Sequence, residues 1–186
     1  MADAAGLIAR TVGREEFRRW VLLQPRGRYE RLDGKIVAMA PEQGAHLCMK
    51  AAVWLALREA IAAAAVSCQA LPDGATVATG DSDFEPDALV NCGAPMGDDA
   101  IEAPNPVIVV EVLSPSTQRI DSGLKLAGYF AVGSIQHYVI VHPTRPQIVH
   151  HRRHSAGIET AIVTGGVLRL DPPGLRLDVT ALYASA

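Results

Sequence analysis

Residues 107–113 read Val-Ile-Val-Val-Glu-Val-Leu, a nearly unbroken apolar and β-branched run with one carboxylate inside it. Such a run suits a strand covered on both faces at the centre of a sheet, and it is short for a helix. Glu111 is the anomaly. An ionised carboxylate buried among valines is costly unless a cation or several donors meet it, so the strand that decides the fold also marks where chemistry is expected.

On the N-terminal side, Pro86-Asp87 opens a second apolar segment, 87–91, and residues 75–79 form another strand-like run before it. If segments 87–91 and 107–113 lie side by side, Asp87 and Glu111 meet at one sheet end. Two hard oxygen donors there suit Mg2+ or Mn2+ better than a soft metal. On the C-terminal side, Ser114-Pro115-Ser116-Thr117 stops the strand and offers capping hydroxyls to a helix over 118–132, ending near Gly133. Asp121, Lys125 and Tyr129 recur every fourth residue on that helix and share a stripe. Facing the carboxylates, the stripe adds an ammonium; facing solvent, it is an ordinary exposed pair worth roughly 0.2–0.5 kcal/mol.

Nearer the N-terminus, residues 28–32 and 35–39 flank Asp33-Gly34, the dipeptide suited to a tight hairpin turn. Glu30 sits on its first arm. Thr11 is the expected cap of a short helix over 13–23 with Phe17, Trp20 and Val21 on one face, and the alanine-rich stretch 45–66 is the first long helix, with His46 an ordinary residue at its start. Strands are expected at 136–141, 147–151, 158–163, 167–170 and 175–179. Helices recurring between strands predict one mixed sheet flanked by helices, an α/β class, in a single domain over residues 1–186.

Composition narrows the function classes. Against 20 Asp and Glu stand 17 Lys and Arg, a net charge of −3, so a nucleic-acid partner must be met by a local patch. Lysine occurs only at 35, 50 and 125 in an otherwise arginine-rich basic set. The three cysteines, Cys48, Cys68 and Cys92, contain no C-x-x-C pair; that odd, scattered set argues against a disulfide framework or a zinc knuckle and predicts a reducing cytoplasm. The longest apolar stretch, 51–66, is broken by Arg58 and Glu59 and is too short to span a membrane. His150-His151-Arg152-Arg153-His154 reads as a solvated edge strand, and Asp81, Asp83 and Glu85 as solvated turns. Without a phosphate-cradling G-x-x-x-x-G-K motif or a G-x-S-x-G elbow, nucleotide-hydrolysis and serine-esterase readings have no support.

Four segments together carry a resemblance. Tyr29-Glu30-Arg31-Leu32-Asp33-Gly34-Lys35-Ile36-Val37, Glu85-Pro86-Asp87, Val109-Val110-Glu111-Val112-Leu113-Ser114-Pro115-Ser116-Thr117 and Asp121-x-x-x-Lys125-x-x-x-Tyr129 resemble the Uma two family of restriction-endonuclease-like proteins. That resemblance implies a PD-(D/E)XK nuclease fold: a restriction-endonuclease-like core with a mixed central β-sheet flanked by helices, an N-terminal hairpin and a C-terminal β extension. It further implies hydrolysis of DNA phosphodiester bonds with Mg2+ or Mn2+. By the same resemblance Asp87 and Glu111 are the metal ligands, Glu30 an additional acid, and homodimers are expected because two strands must be cut. The motif lysine is displaced, since Leu113 stands two residues after Glu111, and Lys125 on the next helix is the matching cation. The alternative is a catalytically inactive module of the same fold, a dimeric nucleic-acid-binding or protein-interaction domain, suggested by Leu113 and the acidic loops.

Overall fold

The structure is a computed structural model and describes residues 11–39, 41–113 and 122–184. Helix α1 (Arg14–Val21) leads into the hairpin of β1 (Tyr29–Leu32) and β2 (Lys35–Ala38). Asp33 and Gly34 both take positive φ, +48° and +74°, as the Asp-Gly pair predicts for a tight turn. The cap of α1 is Gly13 rather than Thr11, with no side-chain hydrogen bond. Its apolar face, Phe17 and Trp20, closes on Val12 and Ile36 beneath the hairpin.

Instead of one sheet there are three among the described residues. The hairpin forms a four-stranded sheet in the order β2-β1-β5-β4 with the short strands β4 (Val77–Ala78) and β5 (Asp83–Phe84). Arg31 on β1 lies opposite Asp83 on β5 and its Nε donates to Asp83 Oδ2 at 2.5 Å, while Arg14 Nε donates to Oδ1 at 2.9 Å. Asp83 is therefore 1% exposed, not a solvated turn residue; two guanidiniums make its burial tolerable.

The principal sheet has six strands in the order β10-β9-β8-β7-β6-β3, comprising β3 (Cys68–Pro72), β6 (Ala88–Cys92), β7 (Pro106–Val112), β8 (His137–Val141), β9 (Ile148–His154) and β10 (Gly157–Val163). As the apolar run requires, β7 is buried along its whole length at the centre, antiparallel to β6 and parallel to β8. Alternation along β7 sends Val110 and Val112 toward α2 (Gly44–Ala64) and its Met49, Val53 and Leu57. Val109 faces the other layer, where α3 (Ser122–Ala131) contributes Tyr129 and Phe130. A terminal hairpin, β11 (Val167–Leu170) and β12 (Leu175–Asp178), with the short helix α4 (Val179–Ala184), closes the α2 side of the core.

Two expectations are corrected here. Cys68 and Cys92 are joined as a disulfide, because β3 runs antiparallel to β6 with these residues directly opposite; Cys48 is free and exposed. Their 24-residue separation gave no hint of that register. Strand β9 lies inside the sheet, covered by β10, so His150 and His151 are buried rather than solvated.

His137 Nε2 lies 3.0 Å from the Pro172 carbonyl oxygen, and its Nδ1 lies 2.9 Å from His150 Nε2. A carbonyl only accepts, so His137 carries its proton on Nε2 and His150 donates to Nδ1, with both rings neutral. Burial first, then neighbouring cationic groups, pushes both imidazoles down to about 4. Their contribution to stability is present above the unfolded value near 6.5 and is lost as pH falls through the window between roughly 6.5 and 4. Urea midpoints measured from pH 7 to pH 4 should fall across this window, and His150→Gln, which still donates an N–H, should flatten the fall.

A candidate metal centre at the end of the central strands

The last registered pair of β6 and β7 at this end is Ala88 with Val110, so Asp87 and Glu111 stand one step beyond it on neighbouring strands. Asp87 Oδ2 accepts from the backbone N–H of Val112 at 2.7 Å, hooking the Pro86-Asp87 turn onto β7. Glu111 points to the α3 side, opposite to Val110 and Val112. There Lys125 Nζ donates to Glu111 Oε1 at 2.8 Å and to Glu30 Oε1 at 3.0 Å, and Tyr129 Oη donates to Glu111 Oε1 at 2.6 Å. Glu30 also accepts from the Glu85 N–H at 2.9 Å. The four-residue spacing thus stacks an ammonium and a hydroxyl on one carboxylate; Asp121, the third member of that stripe, lies outside the described residues, as do Ser116 and Thr117. Gly128 permits the approach of α3, since a Cβ there would meet the Phe84 ring at 2.5 Å.

The opposite side of Asp87 is furnished by α2 and was underestimated by sequence. His46 Nε2 lies 2.9 Å from the Val112 carbonyl and 3.5 Å from Asp87 Oδ2. Lys50 Nζ lies 3.3 Å from Asp87 Oδ1, 2.7 Å from Glu42 Oε1 and 2.5 Å from Asp73 Oδ2. Arg28 then spans Glu42 at 3.0 Å, Asp73 at 2.6 Å and Glu85 at 3.2 Å. The available signal was the rarity of lysine together with His46 and Lys50 at a four-residue spacing. A cavity of about 590 Å³ opens beside this network, lined by Arg28, Met39, Glu42, Leu47 and Asp73 among others.

Among the described residues carboxylates outnumber cations: Glu30, Glu42, Asp73, Glu85, Asp87 and Glu111 face three permanent cations, Arg28, Lys50 and Lys125. Burial drives the Glu111 carboxyl up to about 7, Glu30 and Asp87 adding to the rise against the pull of Lys125. Burial also raises Glu85 despite Arg28. Asp87 moves the other way: burial opposes ionisation, but His46 and the Val112 N–H outweigh it and keep the carboxylate charged. At Lys125, burial is likewise outweighed by Glu111 and Glu30, so the amine is held above its ordinary range and stays an ammonium. A compact excess of hard oxygen donors of this kind is chemically suited to a divalent cation. Glu42, His46 and Asp87 in addition bring one donor atom each within 4.8 Å of one another.

Glu30, Glu111 and Lys125 therefore converge directly, whereas Asp87, one register step from Glu111 on the neighbouring strand, makes its side-chain contacts with the Val112 N–H, His46 and Lys50 on the α2 side. Among the described residues, no helix is long and apolar enough to cross a membrane.

A solved structure described as a putative nuclease belonging to DUF820 from Anabaena variabilis ATCC 29413 is similar to this chain, with a TM-score of 0.67 at 18% identity over 90% of this chain and 96% of that one. The likeness shows a shared fold, the mixed α/β restriction-endonuclease-like core. No match to a curated protein was found. The family described as "Uma2: Putative restriction endonuclease" matches residues 14–181, a span holding every member of the charged network, and the chain belongs to that family.

Proposed function

We propose that this chain is a metal-dependent endonuclease hydrolysing phosphodiester bonds of DNA, one nuclease-like domain over residues 1–186. The observation that carries this reading is the carboxylate excess gathered around Asp87 and Glu111 beside a charged lysine. Asp87 and Glu111 would hold Mg2+ or Mn2+, with Glu30 as supporting acid. Held by these residues, a divalent cation would supply charge neutralisation at the scissile phosphate and a lowered pKa for a bound water.

The residues divide the remaining work. Asp87 is kept ionised by its backbone donor, so it offers a charged oxygen at neutral pH. Lys125 remains an ammonium and cannot take a proton from water; its role is to orient the water and offset negative charge that develops on the phosphate. Tyr129, donating to the same oxygen of Glu111 as Lys125, is a positioning residue for that carboxylate. A centre this acidic repels DNA until a cation is present, which makes metal dependence a requirement of binding as well as of chemistry.

Nicking of supercoiled plasmid with Mg2+ or Mn2+ tests the assignment. Cleavage is expected from the parent and lost in Asp87→Ala and Lys125→Ala; equal activity in all three rejects it. The inactive-module reading draws on Lys125 being already shared by two carboxylates, and duplex binding without cleavage by the parent would favour it.

Homodimer formation belongs to this proposal, and β10 is the surface that supports it. Among the described residues nothing pairs with its outer edge, Ile162 is 67% exposed, and the strand holds no proline or lysine to blunt association. Antiparallel self-pairing centred on Thr160 sets Ile158 against the partner's Ile162 and Glu159 against the partner's Ala161, so no like charges face each other. Light scattering at micromolar concentration should give a dimer mass for the parent and a monomer mass for Ile162→Lys. A monomeric parent contradicts this surface.

A further inference from the structure

His46 is not used by the chemistry above, and its environment is unusual. The residue is 6% exposed, in the first turn of α2. Because Nε2 faces the Val112 carbonyl at 2.9 Å, that nitrogen must donate. Among the described residues Nδ1 is buried with no hydrogen-bond partner, and Glu42 Oε2 lies 3.9 Å from it. A proton on Nδ1 would thus be stranded at a distance no hydrogen bond spans, and a bare lone pair there is equally unsatisfied.

A cation resolves both problems. An imidazole that donates one N–H to a backbone carbonyl while its other nitrogen faces a carboxylate, here Glu42, is the arrangement that fixes a metal-ligating histidine. Lys50 takes Glu42 Oε1 and approaches Asp87 Oδ1, leaving Glu42 Oε2 and Asp87 Oδ2 as the oxygens nearer His46. One donor atom from each of Glu42, His46 and Asp87 falls within 4.8 Å of the others, a spread that ligands about 2.0–2.2 Å from a common centre can adopt by small rotations.

We infer that Glu42, His46 and Asp87 form a divalent-cation position of their own on the α2 side of Asp87, with Nδ1 of His46 as its nitrogen ligand. A mixed nitrogen and oxygen set favours first-row transition-metal dications over Mg2+, which selects oxygen. The position shares Asp87 with the proposed nuclease centre and so rests in part on that reading, but it is decided by binding and not by cleavage.

Pulsed electron paramagnetic resonance of Mn2+ added to the full chain provides the test. The parent should show nitrogen hyperfine coupling from one directly bound imidazole. His46→Gln should abolish the coupling and weaken Mn2+ binding more than about tenfold, whereas Glu111→Gln should retain the coupling. Glu42→Gln, a variant outside the strand core, should weaken binding with the coupling kept. Absence of nitrogen coupling in the folded parent, its survival in His46→Gln, or unchanged affinity in Glu42→Gln overturns the inference. Coupling in a parent that cleaves no DNA would leave the inference standing and count against the nuclease reading alone.

Discussion

Asp87→Asn should reduce Mg2+- or Mn2+-supported plasmid nicking by about a thousandfold or more, corresponding to roughly 4 kcal/mol of transition-state stabilisation. The substitution is nearly isosteric. An asparagine oxygen can still accept the Val112 N–H, so the hook between the Pro86-Asp87 turn and β7 survives. What disappears is the negative charge presented to Lys50, to His46 and to a bound cation. Circular dichroism should therefore be unchanged while the nicking rate collapses. A variant that cleaves within a few-fold of the parent would show that Asp87 is structural.

Lys125→Met should be the most destabilising substitution in the network. It leaves Glu111 and Glu30, both buried, with no ammonium between them, and stranding a buried charge in this way costs about 3–5 kcal/mol. Glu111→Gln in the same chain removes one of the stranded charges, so the double variant should be more stable than Lys125→Met alone. Urea unfolding of the two single variants and the double variant closes a cycle whose coupling should exceed about 1 kcal/mol. Simple additivity would mean that the 2.8 Å contact contributes nothing to stability.

The parts of this fold that were legible in the sequence are those governed by local rules. The β-branched run around Glu111 could only be a covered central strand, Asp33-Gly34 supplied its own turn, and alanine periodicity marked α2. Convergence of Glu30, Glu111 and Lys125 could be anticipated because a carboxylate inside an apolar strand demands a partner. The α2 side of the centre was hidden for a different reason. Glu42, His46 and Lys50 are ordinary residues for a helix start, and their meeting with Asp87 depends on which helix face is presented to the end of β7, a tertiary property that the four-residue spacing of His46 and Lys50 permits but does not specify. The same applies to Cys68 and Cys92, whose pairing follows from the register of β3, a short strand reading Cys-Gln-Ala-Leu-Pro with little alternation. Two-residue strands such as β4 and β5 have no period to detect, so the division into three sheets could not be foreseen. The basic run in β9 misled because charge and histidine content suggested an edge, whereas β10 covers that edge and His137 and Thr160 satisfy the imidazoles.

Calorimetric titration of Mg2+ and Mn2+ into the folded parent, and into a chain carrying Asp87→Asn together with Glu111→Gln, asks whether the carboxylate excess draws a divalent cation. Saturable binding to the parent that is lost in the doubly substituted chain is the expected result. No binding to the parent, or binding undiminished in the double variant, would contradict a metal centre at the end of the central strands.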